Sequence, residues 1–410
     1  MITNLKAKLR EMSSSSRSNE YIRPRPRTVD RGDFGGRVVE GAEGRYVLKS
    51  AVYDADSSFG TVPLRTLLGA DFSDSCWWTR LDEAIDVNDI VFLDTETTGL
   101  AGGTGTMAFL IGLGSIEDDR LVVRQYLARD FDEEYAILAA VLEELKKRRV
   151  LVTFNGRSFD WPLLESRIIY SRLKPLCWDG RHLDLLHVAR RLWGDRLESC
   201  SLSSLEEHIL EHSRPDDIPG SMIPGIYLKY LDTGDIDDML RVMRHNEWDI
   251  LVMAALLARM AYMFKRPAAY CDDVELLGVA KDLERAGRTE EACRCYRACI
   301  DKTNTGYVRI QAQKRLAFLV KRHQGSAAAM DIWAEMAESP GNIMVLPLIE
   351  MAKHLEHREK DIDSALSLTE QALSILQTHR SISSGKIYDE LLHRRARLLR
   401  KKGRVEGSWV

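Results

Sequence analysis

The sequence predicts an α/β layer followed by an all-helical region, and three observations carry that prediction. From about residue 86 to 128, apolar runs of strand length alternate with short turns containing Gly or Asp. A segment of helical period and a further apolar run follow, so strand, helix, strand and helix succeed one another. After Pro267 the strand-like runs stop, and helix–turn–helix patterns recur towards the end of the chain.

Taken in order, residues 1–40 read as a flexible basic tail. "SSSSRSNEYIRPRPRTVDRG" is polar, holds two X-Pro steps and has no apolar periodicity. Residues 41–85 form a poorly patterned extension containing one strand-like run, "GRYVLKSAVY", and the segment "CWWTRL". A domain at 86–266 begins with "DIVFLDTE", "TMAFLIGLGSI" and "RLVVRQYLA", three strands whose short connections make them antiparallel neighbours. "DEEYAILAAVLEELKKR" predicts a helix, acidic at its start and basic at its end as the helix dipole favours. "VLVTF" predicts a buried strand, "NGRSFDWPLLESRI" a turn and helix, and "IDDMLRVMRHNEWDILVMAALLARMAYMF" the last helix of the domain. Within 270–405, "LLGVAKDLERAGRTEEACRCYRACI" reads as helix, turn, helix, with weaker echoes further on. The matching alanines Ala292, Ala329 and Ala365 are spaced by 37 and 36 residues. That is close to the tetratricopeptide period of about 34 residues. "IYDELLHRRARLLRK" reads as a capping helix, although an unrelated helical bundle is the alternative.

The gross numbers narrow the classes. A chain of 410 residues exceeds one ordinary core, and 45% hydrophobic with 29% charged residues describes a globular protein. A net charge of −4 argues against a broad basic face that coats duplex nucleic acid, but leaves room for local phosphate contacts. The apolar run Ile250–Phe264 is interrupted by Arg259 and is too short to span a bilayer. No apolar segment follows Lys6, Lys8 and Arg10, so no secretory signal is expected. Seven scattered cysteines form no disulfide framework, and a cytoplasmic setting is expected. Cys293, Cys295 and Cys299 lie on a helical pattern without a second ligand pair and read as packing residues.

The stretch "IVFLDTETTGL" ends an apolar run with two carboxylates, Asp94 and Glu96, which leave one strand face together. Like charges held close repel, and either a bound cation or exposure at the strand end relieves them. Asp160 follows the second buried strand, where it is equally placed to cap the helix that contains Pro162. His245 and Asp249 stand one turn apart on a helix and share a face. Four carboxylates are the donor set that two divalent cations need for phosphoryl hydrolysis. An imidazole with an ordinary pKa of about 6.5 suits the general base. Thr97, Asn155 and Arg157 are candidate substrate contacts, with Asn155 equally suited to shaping the turn with Gly156. Arg129 and Arg181 are further phosphate candidates. "GLAGGTGT" lacks the Gly-Lys-Ser/Thr ending of a phosphate loop and reads as a hairpin turn.

"FLDTETTGL", "TFNGRSFDWPLL" and "HNEWD", in this order, resemble the three exonuclease motifs of the DEDD superfamily. Together with "HLDLLHVARRLW", "SLSSLEEHIL" and "RPDDIPGSMIPGIYLKYL", they make the chain similar to the YprB-like family of predicted nucleases with attached tetratricopeptide repeats. The resemblance covers about 86–265 and the repeats. It implies an α/β ribonuclease-H-like domain, a mixed central sheet flanked by helices, followed by an all-α tetratricopeptide-like repeat domain. It also implies a metal-dependent 3′–5′ exonuclease using a two-metal mechanism on single-stranded ends of DNA or RNA. Asp94, Glu96, Asp160 and Asp249 would then hold two Mg2+ or Mn2+ ions, with the repeats binding a protein partner or nucleic acid and no membrane involved. His182, Asp184 and His187, a rival metal set, fall where the family passes from strand to helix and read as structural. One departure stands out. Three residues separate His245 from Asp249, the register the superfamily gives to a tyrosine, and position 250 is Ile. His245 is therefore a base or a water-orienting group, and a catalytically inactive adaptor that binds nucleic acid or protein is the alternative reading.

Overall fold

The computed structural model describes residues 33–70, 72, 85–99, 105–174, 182–214, 216–338, 345–378 and 385–406. The "CWWTRL" segment, most of the expected turn at 99–106 and Arg181 lie outside them. Two strands, β1 (Arg37–Gly41) and β2 (Gly44–Tyr53), precede β3 (Ile90–Thr97), β4 (Ala108–Glu117) and β5 (Arg120–Leu127). Helix α1 (Glu134–Leu145), β6 (Val150–Thr153), α2 (Asp160–Tyr170), β7 (His182–Asp184) and α3 (Leu185–Trp193) follow. Helices α4 (Leu202–Ile209), α5 (Ile223–Thr233) and α6 (Asp237–Lys265) come next.

The strands form one seven-stranded sheet in the order β1–β2–β5–β4–β3–β6–β7. Neighbours from β1 to β3 are antiparallel, whereas β3, β6 and β7 run parallel. The three antiparallel strands and the later buried strand are those expected. Described residues 33–40, expected in the flexible tail, are ordered against the sheet. Phe34 is buried, edge-on to Tyr230, and Arg37–Gly41 pairs with β2 as an edge strand. The sheet thus recruits residues placed in the tail and extension, because β2 finds its partner in β5 across the intervening chain.

Strand β3 alternates between two cores. Ile90 and Phe92 pack with the later half of α6, while Val91 and Leu93 pack on the other side of the sheet with α1. This period of two carries forward, so Asp94 and Glu96 continue the face of Ile90 and Phe92, towards α6. Two glycines set how closely α6 sits. A Cβ at Gly112 would fall 2.3 Å from Asn246 Oδ1, and one at Gly114 would fall 2.4 Å from Ile250 Cγ2. Gly112→Ala is therefore expected to destabilise the chain by about 1–3 kcal/mol through overpacking. Chemical denaturation tests this, and an unchanged midpoint would contradict the close seating of α6.

The helical region comprises α7 (Asp273–Arg285), α8 (Thr289–Lys302), α9 (Gly306–Gln324), α10 (Met330–Glu338), α11 (Leu346–His354), α12 (Ile362–Thr378) and α13 (Gly385–Glu406). Ala292, Ala329 and Ala365 are fully buried, and Cys293, Cys295 and Cys299 pack inside α8. No gap in packing marks the expected boundary after 266. One apolar core runs from Ile90 and Phe92 through α6 to Leu277, Tyr296 and Trp333. At the junction, buried Glu275 accepts hydrogen bonds from Trp193 Nε1 at 2.8 Å and Arg259 Nη2 at 2.9 Å. Among the described residues, no helix is long and apolar enough to cross a membrane.

Candidate active site

The candidate acidic residues lie on three elements: Asp94 and Glu96 at the carboxyl end of β3, Asp160 at the start of α2 and Asp249 on α6. Asp94 Oδ2 accepts a 2.8 Å hydrogen bond from Asn246 Nδ2. Asn246 is itself fully buried, and its Oδ1 accepts from Gln125 Nε2 at 3.0 Å. Gln125 also donates to the carbonyl of Met243, so the amide of Asn246 is held at both ends. Asp160 is the first residue of α2 and accepts from the Thr95 hydroxyl at 2.5 Å. Thr95 points to the opposite side of β3 from Asp94 and Glu96, so the strand reaches acids on both sides. Glu96 is buried and lines an open cleft of about 260 Å³ with Thr95, Thr97, Phe159 and Asp160.

On α6, Asp249 and His245 are joined to a network that comes from the segment between α4 and α5. His245 Nδ1 lies 2.8 Å from Asp217 Oδ1, and His245 Nε2 lies 3.5 Å from Asp249 Oδ2. Asp217 is the acceptor, so a neutral His245 carries its proton on Nδ1 and leaves Nε2 basic towards Asp249. Arg214 Nη2 donates to Asp249 Oδ1 at 2.5 Å, and Arg214 Nε donates to Glu206 Oε2 at 2.7 Å. Its Nη1 lies 3.3 Å from Asp217 Oδ2, completing three carboxylates around one guanidinium.

Burial, first, and then Asp249 and Asp160 push the Asp94 carboxyl well above the usual carboxylate range. Glu96 rises for the same first reason, reinforced by Asp94, Asp249, Asp160 and Asp217. These mutual effects place the acids in one electrostatic neighbourhood. Burial pushes Asp160 up to about 6, against the opposing hydrogen bond from Thr95. An acid whose pKa is higher folded than unfolded favours folding when protonated, and loses that contribution as pH rises through its folded value. Metal-free chain is therefore expected to gain stability relative to Asp160→Asn as pH falls from 7 towards 5. Denaturant melts of both at each pH measure this, and a wild type that loses stability relative to the variant on acidification would contradict it.

The remaining candidates are engaged differently. The Thr97 hydroxyl donates to the carbonyl of Gly99 at 2.8 Å, beside the cleft. Asn155 has a φ of +63°, and its backbone N–H donates to Asp184 Oδ1 at 2.8 Å. Arg157 donates its backbone N–H to Asp184 Oδ2 and its guanidinium to the carbonyl of His182. Asn155 and Arg157 thus build the turn that delivers Asp160. Asp184 also caps α3 through the N–H of Leu186. His182 pairs with the Thr153 hydroxyl at 2.8 Å, and burial pulls its pKa down to about 4, leaving it neutral. Arg129 is bound to Glu133 through its backbone and guanidinium.

Four residues here escaped the sequence reading: Thr95, Asn246, Arg214 and Asp217. Asn246 had a signal, since it precedes Asp249 by three positions on a helix. Arg214 and Asp217 had none beyond lying in "RPDDIPG", because nothing periodic tells which charges of an irregular segment turn inward.

The donor set is all hard carboxylate oxygen, the chemistry that Mg2+ and Mn2+ require. Buried Glu96 and half-buried Asp94 have no guanidinium or ammonium directly bonded to them among the described residues. The set fits a divalent cation in kind but is not drawn together: among the described residues, no group of three or more His, Cys, Asp or Glu is arranged to hold a metal ion. Asp249 is instead tied to Arg214, and Asp160 to Thr95.

A family model of the RNase H superfamily matches residues 91–261. The protein YprB of Bacillus subtilis (strain 168) is 33% identical over 318 residues, covering 77% of this chain and 75% of that protein. The family B DNA polymerase of the hyperthermophilic archaeon Pyrobaculum calidifontis is similar over 59% of this chain, at 14% identity and a TM-score of 0.35. The match spans only 31% of the polymerase, and a likeness of that size carries no argument about activity.

Proposed function

The chain belongs to the YprB family and carries an RNase H superfamily domain, and from that premise we propose that it is a divalent-metal-dependent nuclease that shortens single-stranded nucleic acid from the 3′ end. The reading is supported by the mutual electrostatic effects among Asp94, Glu96, Asp160 and Asp249, together with the open cleft that Glu96 and Asp160 line at the end of β3. Two Mg2+ or Mn2+ ions, when bound to these four, supply a nucleophilic water at neutral pH and charge stabilisation at the leaving oxygen. Asn246 fixes the rotation of the Asp94 carboxylate. Asp217 holds His245 in the tautomer whose Nε2 takes up the proton of the attacking water. Phe159, 58% exposed in the cleft wall, offers an aromatic face on which a terminal base stacks.

The helical region serves, on this reading, as a tetratricopeptide-like surface for a protein or nucleic acid partner. Its support is the burial of Ala292, Ala329 and Ala365 at the expected repeat spacing. The hold of Arg214 on Asp249 favours a second reading, an adaptor that binds without cutting.

A 5′-labelled single strand of DNA or RNA, incubated with Mg2+ or Mn2+, distinguishes them. A ladder of products shortened one nucleotide at a time, abolished by chelator, is expected. Binding without cleavage would replace the nuclease by the adaptor, and internal cuts alone would overturn the exonuclease assignment.

A further inference from the structure

Arg214 is an unusual occupant for a site built to hold cations. Its side chain is 6% exposed and lies amid Asp249, Glu206 and Asp217, with the Trp248 ring 5.6 Å from the guanidinium carbon. The backbone that carries it is sharply shaped, with Glu211 at a φ of +55° and Asp216 at +56°. Glu206, 2% exposed, binds Arg214 Nε at 2.7 Å and His212 Nδ1 at 2.7 Å, anchoring the arginine through a nitrogen other than the one that reaches Asp249.

We propose that Arg214 is the site's own counter-cation, which occupies Asp249 in the metal-free chain and must release it for metal to bind. The inference rests on the metal-dependent reading above, and it makes Arg214 a positioning residue that sets metal affinity. Two features make the exchange feasible. Only the Nη2 contact to Asp249 has to break, and Glu206 and Asp217 continue to pair the guanidinium afterwards, so no buried charge is left bare. His245 Nε2, the unprotonated nitrogen, lies 3.5 Å from the other oxygen of Asp249 and donates no hydrogen bond to it, so the contact from Arg214 is the one that a metal ion displaces. The same guanidinium, once withdrawn, repels an incoming dication less than it does in contact with its ligand.

The test uses full-length chain stripped with chelator and titrated with manganese alone, by calorimetry and by electron paramagnetic resonance of the free ion. Arg214→Gln is expected to bind manganese on the order of tenfold more tightly than wild type, since one unit charge beside the ion is removed. Its metal-free melting temperature should fall, and the gap to wild type should narrow at saturating manganese. Arg214→Lys keeps the charge but loses the forked geometry, so it should fold and raise affinity by a smaller factor. A merely structural arginine would give the same loss of melting temperature with and without manganese. Unchanged or weaker manganese affinity in whichever variant folds would overturn the proposal. If wild type binds no manganese, the metal site itself is refuted and the inference falls with it.

Discussion

Asp94→Asn should lower phosphodiester hydrolysis by about a thousandfold, because a metal-held carboxylate supplies several kcal/mol of charge stabilisation to the reaction. The substitution is nearly isosteric, and the amide still fills the space beside Asn246, so packing is retained. Stability should hold or rise, since the carboxyl it replaces is half-buried and repelled by Asp249 and Asp160, a costly place for a charge. Activity and melting temperature are thus expected to move independently. A variant that kept more than about a tenth of wild-type activity, at equal folded fraction, would remove Asp94 from the metal-binding set.

Glu275→Ala should have the largest effect on stability, about 3–5 kcal/mol, because it strands buried donors rather than a surface charge. Trp193 Nε1 and Arg259 Nη2 both donate to Glu275 Oε1, at 2.8 and 2.9 Å, and Arg259 Nε finds no hydrogen-bond partner among the described residues. Gly278 tightens the same junction, for a Cβ there would lie 3.0 Å from the Leu192 Cα. Glu275→Gln, which keeps an acceptor, should lose less. Denaturant melts of both variants measure the difference. Equal midpoints for wild type and Glu275→Ala would mean that the sheet and the helical region do not share a structural core.

That junction also shows where the sequence was readable and where it was not. The last described strand ends at Asp184, so the change from mixed to helical structure comes well before the change of sequence character after Pro267. That change of character did not mark a break in packing. The contact that spans it runs through Glu275, an acid whose place in a capping box with Asp272 gives it an ordinary local role. Asp94 and Glu96 were legible because a fully apolar strand that ends in two acids conflicts with its own burial. Helix α6 was legible from its long apolar period, and His245 and Asp249 came with it. Strand β1 was not, since Arg37–Gly41 follows a polar Arg- and Pro-rich stretch and gains its strand partner only by pairing with β2. Arg214 and Asp217 were invisible for a similar reason: their inward direction follows from backbone turns at Glu211 and Asp216 that tertiary contacts impose. Asn155 and Arg157, read as candidate substrate contacts, hydrogen-bond to Asp184 and His182, partners supplied by a strand outside their own motif.

A crystal structure of the full chain grown with manganese, phased for anomalous scattering at the manganese edge, examines the four-carboxylate site most directly. Strong anomalous peaks among Asp94, Glu96, Asp160 and Asp249 are expected, with Arg214 withdrawn from Asp249. Crystals saturated with manganese that show no peak there, or ions bound only at other surfaces, would contradict it.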